Sequence, residues 1–209
     1  MITQKAIIEI ASHEGIVREA YKDSVGVWTW GVGVTSASGH NVERYIGKPQ
    51  PMEKVIEVYE WLLTEKYLPD VLEAFQGHDL QEHELAAALS FHWNTGGIKR
   101  ASWVKHFKAG NMPAARKAFM SWSKPQEIIP RRKAERDLFF DGKWSNDGKA
   151  TEYTKVTKSG NIVWSSAKRV RLPAMHNALV QKSSTPKPTP KQTPLAAFLA
   201  AIAAIFKGK

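Results

Sequence analysis

His13-Glu14-Gly15-Ile16-Val17-Arg18-Glu19-Ala20-Tyr21-Lys22-Asp23-Ser24-Val25-Gly26-Val27-Trp28-Thr29-Trp30-Gly31-Val32-Gly33 carries most of what the chain says about itself. Upstream, Thr3 fits a helix N-cap, and Ile7, Ile10 and Ala11 recur at helical spacing until Gly15 offers a stop. The spacing predicts a short helix with Glu14 in its last turn. There, the negative end of the helix and partial burial favour a carboxyl that keeps its proton. From Val25 to Thr35 the period becomes two. Val27, Thr29, Gly31 and Gly33 then share one strand face, and Trp28, Trp30, Val32 and Val34 share the other. The bulky face should pack, and the Thr29 face, stripped to small residues, can front a cleft.

A helix end, a loop and a strand thus deliver Glu14, Asp23 and Thr29. Cleavage of a glycosidic bond asks for such a set. One carboxylic acid protonates the leaving oxygen, while a second, ionised group orients a water or steadies the positive charge that builds on the sugar. Residue types alone are weak evidence, because Glu at a helix end and Asp in a turn are ordinary surface choices.

The spacing adds weight. Glu, eight residues, Asp, five residues, Thr, then Gly-x-Gly resembles the active-site signature of the phage-type lysozymes, glycoside hydrolase family 24. Ser90-Phe91-His92-Trp93-Asn94-Thr95-Gly96 and Pro130-Arg131-Arg132-Lys133-Ala134-Glu135-Arg136-Asp137-Leu138-Phe139 resemble two further blocks of that family, in the same order. The resemblance spans roughly residues 1–144. It implies a mainly helical, lysozyme-like α+β fold, with a small strand-bearing lobe, a larger helical lobe and a cleft between them. It makes Glu14 the general acid, Asp23 the second carboxylate and Thr29 the group that helps place water, in an inverting reaction. Arg132 aligns best with a family arginine that approaches the acid, and Arg131 could serve instead. His92 is either a hydrogen-bonded residue under the cleft wall or a substrate contact. Asn94 can do either job, and Phe91 is read as packing. Val34 departs from the pattern, standing where many relatives carry His.

Other motifs fail on inspection. Gly31-Val32-Gly33-Val34-Thr35-Ser36 lacks the third glycine of a dinucleotide fingerprint and does not open a helix. His83-Glu84-Leu85-Ala86-Ala87 starts like a zinc-protease helix but has Ala87 where the second ligand belongs. Asp79 and Glu82 read there as a capping box, with His78 and His83 solvated. No metal and no cofactor are expected. Helices are predicted after Pro51, after Asp79, and over 103–108, 113–122 and 130–140.

Charge divides the chain. Residues 1–144 hold 19 Lys/Arg against 18 Asp/Glu and residues 145–209 hold 11 against 2, so nearly all of the net +10 lies in the last third. The expected organisation is a catalytic domain at 1–144, a basic extension with a hairpin at 145–182, a Pro-rich linker at 183–194 and an apolar helix with a basic end at 195–209. Leu195, Phe198, Leu199, Ile202, Ile205 and Phe206 fall on one face of that helix. Its apolar run reaches about 18 Å, against a hydrocarbon core of ~30 Å, so it should enter an interface rather than span a membrane. Docking on the enzyme's own surface or self-association is the other reading of this helix. The tail's expected partner is an anionic membrane or lipopolysaccharide, and a monomer is expected. Nucleic acid is not, since no reading motif accompanies the charge. The absence of cysteine neither requires nor excludes export. With charges in its first residues where a secretory apolar region would have none, the chain is expected to be made in the cytoplasm of a host, and the resemblance implies action at the peptidoglycan layer.

The resemblance implies a muramidase that cuts the β-1,4 bond between N-acetylmuramic acid and N-acetylglucosamine in bacterial peptidoglycan, as a phage or prophage endolysin would. The alternatives are a bacterial wall-remodelling muramidase of a secretion apparatus, and a non-catalytic cationic wall- or membrane-binding protein.

Overall fold

A computed structural model describes residues 2–173. The Pro-rich linker, the apolar helix and the 174–182 part of the basic extension lie outside the described residues.

Helix α1, Gln4–Ser12, opens where the sequence places it: the Thr3 backbone is extended and its Oγ1 accepts from the Ala6 amide at 3.1 Å. Its buried stripe is Ala6, Ile7, Ile10 and Ala11. Strand β1, Gly15–Lys22, follows at once, where only the approach to a loop is expected. The pairing explains the weak signal. Val17 stands opposite Gly31 and Tyr21 opposite Thr29, so four residues of β1 match two of its neighbour. That bulge buries Ile16-Val17 and Ala20-Tyr21 as adjacent pairs and erases the period of two.

The strand expected across Val25–Thr35 is instead a hairpin. β2, Trp28–Gly31, folds back on β3, Val34–Thr35, with Trp30 opposite Val34. Gly31 and Gly33 bracket the reversal at φ 64° and 83°, a conformation costly for residues with a β-carbon. Val34 is buried on β3 opposite Trp30, so backbone pairing and apolar packing support the strand at this position.

Two long stretches of helix form the body. α2, Met52–Leu62, continues through a π-helical turn at Leu63–Tyr67 into α3, Leu68–Ala74. α4, Glu82–Thr95, is capped two residues later than expected: the Gln81 amide donates to Glu84 Oε2 at 2.7 Å, and Asp79 and Glu82 do not form the box. Its residues from Ala86 to Thr95 are all buried, which makes it the axis of the body. α5, Ser102–Lys108, α6, Met112–Phe119, and α7, Ile129–Asp141, surround it, close to the expected bounds. Trp103 packs at 4.6 Å from Phe119, 4.9 Å from Phe139 and 5.3 Å from Phe91, the last edge-on. Burying each such ring contributes about 2–3 kcal/mol. His83 is not solvated as expected, since its Nδ1 lies 3.0 Å from the Leu138 carbonyl and ties α4 to α7.

After α7 the chain returns to the sheet. β4, Lys149–Tyr153, pairs parallel with β1, and β5, Ala167–Arg171, pairs antiparallel with β4, for a strand order of β3-β2-β1-β4-β5. The division expected at residue 144 therefore falls inside one continuous unit. The hairpin tip expected around 158–161 is present, with the Thr157 amide donating to the Asn161 carbonyl at 2.8 Å, but the long pairing is β4 with β5. Among the described residues no helix is long and apolar enough to cross a membrane.

Glu9 fastens this return. Its carboxylate accepts from the Ser145 amide (3.2 Å), the Ser145 hydroxyl (2.5 Å) and the Asn146 amide (3.1 Å). Burial alone would raise its pKa, but His13, Ser145 and Asn146 outweigh burial and lower it to about 2. A folded value below the unfolded one contributes stability that is complete above about pH 4.5 and lost as pH falls through about 2. Glu9→Gln should therefore cost roughly 1–3 kcal/mol at pH 7. In urea titrations the gap to wild type should close as pH approaches 2, and a gap of constant size would contradict this account.

Candidate active site

Glu14 sits just past α1, with its amide donating to the Ala11 carbonyl at 3.0 Å, and is the last residue before β1. It therefore lies beyond the helix, and not within its last turn. Its side chain is buried at the junction of sheet and helical body, and Oε1 accepts from Arg131 Nη1 at 2.5 Å. A guanidinium thus faces the carboxyl that sequence alone sets at a bare helix end. The arginine that reaches Glu14 is Arg131. Arg132 points elsewhere, with Nε donating to the Trp122 carbonyl at 3.1 Å, Nη2 to Asn94 Oδ1 and Nη1 to Glu135 Oε2. Neighbours in a helix diverge by about 100°, so only one of two adjacent arginines can face the sheet.

Arg131 also donates from Nε to Glu135 Oε1 at 2.8 Å, and Ser90 Oγ donates to the same oxygen at 2.6 Å. The order Glu14, Arg131, Glu135, Arg132 alternates in sign and is almost wholly buried. Burial alone would raise the Glu135 carboxyl, but the two arginines, with smaller help from His13 and Ser90, hold it below its usual range.

Asp23 occupies the β1–β2 loop, where Oδ1 accepts from the Val25 amide at 3.0 Å and the Val27 amide at 2.8 Å. This Asx-type turn fixes the carboxylate without a cation. Thr29 is buried on β2 opposite Tyr21, and its Oγ1 donates to the Val27 carbonyl at 3.2 Å, which leaves the oxygen able to accept from a water. Tyr21 lies within electrostatic reach of both carboxyls. Its phenol is pushed far above the ordinary range by burial first, then by the negative charges of Glu14 and Asp23.

His92 is buried on α4 with Nε2 3.3 Å from Asp70 Oδ2, and Lys99 Nζ meets Asp70 Oδ1 at 2.8 Å. Burial lowers its pKa despite Asp70. His92 is thus hydrogen-bonded to Asp70, which both readings open in the sequence allow. Asn94 is the partner of Arg132. Phe91 packs under the Arg132 guanidinium at 4.7 Å. Glu135, Ser90 and Tyr21 escape sequence reasoning. The available signal is Arg131-Arg132-x-x-Glu135, which sets one carboxylate at i+4 and i+3 from two arginines on one helix.

A buried carboxyl at a strand's start and a second held in the adjoining loop are groups that sugar-bond hydrolysis can use, and the molecule is a glycoside hydrolase of the lysozyme kind. The chain belongs to the phage lysozyme family, whose sequence profile matches residues 11–135. It is 29% identical over 146 residues to the endolysin of Salmonella phage P22, covering 66% of this chain and 97% of the relative. It is 27% identical over 153 residues to the endolysin of Acyrthosiphon pisum secondary endosymbiont phage 1, again covering 66% and 97%. Among solved structures, an endolysin from the Escherichia coli phage FAHEc1 superposes with a TM-score of 0.62 at 24% identity, covering 70% of this chain and 97% of that one. The muramidase domain of SpmX from Asticaccaulis excentricus shares the fold at a TM-score of 0.53 and 22% identity, covering 67% and 97%.

The buried ion chain has a testable consequence. Arg131→Met strips both Glu14 and Glu135 of a buried counter-charge and should cost about 3–5 kcal/mol in urea denaturation at pH 7. Arg131→Lys keeps the charge but cannot reach both carboxylates with one ammonium, so it should fall between the two. Wild-type stability in Arg131→Met would refute the role given to this arginine.

Proposed function

We propose that this chain is an endolysin-type muramidase that hydrolyses the β-1,4 bond between N-acetylmuramic acid and N-acetylglucosamine in peptidoglycan, releasing phage from a bacterial host. The observation that supports it most is the buried Glu14, oriented by Arg131 and followed directly by the strand pair that presents Asp23 and Thr29. With Oε1 engaged by Arg131, Oε2 is the oxygen left open to serve the leaving glycosidic oxygen as general acid. Asp23, fixed by two backbone amides, and the Thr29 hydroxyl together hold a water on the opposite side of the sugar, where its attack inverts the anomeric carbon. Arg132, His92 and Asn94 support this set from behind.

Digestion of purified peptidoglycan should yield new N-acetylmuramic acid reducing ends, and proton NMR should detect the α anomer first. Glu14→Gln should abolish the reaction without unfolding, because the isostere keeps hydrogen bonds but donates no usable proton. Asp23→Asn and Thr29→Ala should each lose most activity. Wall clearing by folded Glu14→Gln, or a β anomer formed first, would overturn the mechanism.

The tail is assigned a second role. Residues 145–209 carry 11 Lys/Arg against 2 Asp/Glu and end in the apolar run Leu195–Phe206, which supports binding to anionic phospholipid or lipopolysaccharide by attraction followed by insertion. Deletion of residues 183–209 should leave hydrolysis of purified peptidoglycan intact while reducing sedimentation with anionic liposomes. The loss should resemble that produced by raising salt on the full chain, which shortens the screening length. Equal liposome binding by the truncated chain would refute this role, and unfolding on truncation would favour a helix docked on the enzyme.

A further inference from the structure

Residues 149–171 lie beyond the family match at 11–135, yet they complete the sheet that carries the catalytic groups. They grip β1 at both ends. At the first, Gly15 pairs with Thr151, and the Tyr153 ring comes so close that a β-carbon on Gly15 would stand 2.8 Å from Cε2. At the second, the Lys22 amide donates to the Gly160 carbonyl at 2.7 Å, with the Trp28 ring lying over Gly160. Gly15 adjoins Glu14 in the chain, and Lys22 adjoins Asp23. The extension therefore brackets the strand that joins the two carboxyls.

Register decides which face of the sheet Tyr153 occupies. Paired residues point to the same side, and alternate residues along a strand share a side. Tyr153 is two residues from Thr151, which pairs with Gly15, and so stands on the Gly15 side. Val17 is two residues from Gly15 and pairs with Gly31; Tyr21 pairs with Thr29, two residues from Gly31. Gly15, Val17, Tyr21, Thr29 and Tyr153 thus share one face, the face that bears the Thr29 hydroxyl. Lys22, Trp28 and Gly160 meet on the other. The Tyr21 phenol accordingly feels the Tyr153 phenol along with Glu14 and Asp23. Against Tyr153 stands Trp164, edge-on at 5.1 Å and 43% exposed. An indole with that much open surface, held by a half-buried tyrosine beside a catalytic carboxyl, suits the apolar face of a sugar ring.

We propose that Tyr153 and Trp164 form an aromatic subsite that lengthens the glycan cleft beyond Glu14 and holds one further N-acetylated sugar of the substrate strand. The subsite rests on the reading of the chain as a muramidase. Its contribution grows with the length of the glycan, because a short strand can fill the positions around the scissile bond without reaching Trp164.

The test uses the full chain carrying Glu14→Gln and glycan strands of four and eight alternating N-acetylglucosamine and N-acetylmuramic acid units, with binding measured by calorimetry. Adding Trp164→Ala should weaken binding of the eight-sugar strand roughly five- to tenfold and that of the four-sugar strand much less. Trp164→Leu, which keeps apolar volume without an aromatic face, should behave like the alanine variant, and Trp164→Phe should restore part of the loss. Equal affinities with Trp, Leu and Ala at 164 for both strands would overturn the subsite. If the unsubstituted enzyme leaves these strands uncut while binding still depends on Trp164, the catalytic assignment fails and the subsite stands.

Discussion

The bond between Arg131 and Glu14 is the constraint on which the rest of the structure depends. Placing these charges out of water is expensive, and the arrangement holds only because every member has a counter-charge: Glu14 and Glu135 share Arg131, and Arg132 completes Glu135. Each neighbour then takes a fixed place. Ser90 and Asn94 of α4 occupy hydrogen-bonding sites that the arginines leave open, so the axis of the helical body is locked to α7 in rotation as well as distance. Glu14 is the one member supplied from the sheet side. Its bond to Arg131 joins the sheet to the helical body at the candidate acid.

From that point β1 acts as a ruler. Glu14 precedes its first residue and Asp23 follows its last, so their separation depends on an eight-residue strand and the bulge within it. A bulge shortens and twists a strand locally. Here it brings Tyr21 level with Thr29 while keeping the phenol on the same face as the threonine hydroxyl. The Asx turn at Asp23 performs for the second carboxylate what Arg131 does for the first, using neutral amides. Glu14 is thus held by a charge in a buried place, and Asp23 by dipoles in a more open loop.

Much of this was legible in the residues, for physical reasons that differ by element. The cap at Thr3 and the stripe of Ile7, Ile10 and Ala11 are local features of one helix, and α5 to α7 follow from strong helical periodicity. Elements whose signal depends on a distant partner were harder to read. β1 hides because its bulge buries residues in adjacent pairs, and the place of β4 in the sheet because a short polar strand such as Lys149–Tyr153 carries no local sign of its pairing with Gly15 and Ile16, more than a hundred residues away. The choice between Arg131 and Arg132 belongs to the same kind. Both lie on one helix in one block of sequence, and which one faces the acid depends on the rotation of α7 against α4, a quantity that no local pattern contains. The cap of α4 at Gln81 in place of Asp79 shows the converse, since two overlapping capping patterns compete and packing of the Ala86–Thr95 stretch selects the later start.

The added strands bear on function through the same logic of constraint. A two-stranded hairpin leaning on β1 would leave one long edge of that strand unpaired, next to Glu14. β4 covers the start of this edge by pairing with Gly15 and Ile16, and the Glu152 carboxylate, 2.6 Å from Arg18 Nε, ties the new strand to the middle of β1. Glu9 secures the incoming segment at Ser145 and Asn146, so α1, β1 and the return strand form a closed loop of contacts around the general acid candidate. A group that must present a proton along one direction benefits from a backbone that cannot slide, and pre-organisation of this kind adds to catalysis by sparing reorganisation when the bond breaks. The same strands that stiffen the acid's support also carry Tyr153 and Trp164 to its side. The basic extension therefore begins as part of the enzyme's scaffold, and any envelope-directed role of its later residues starts from a point rigidly joined to the catalytic face.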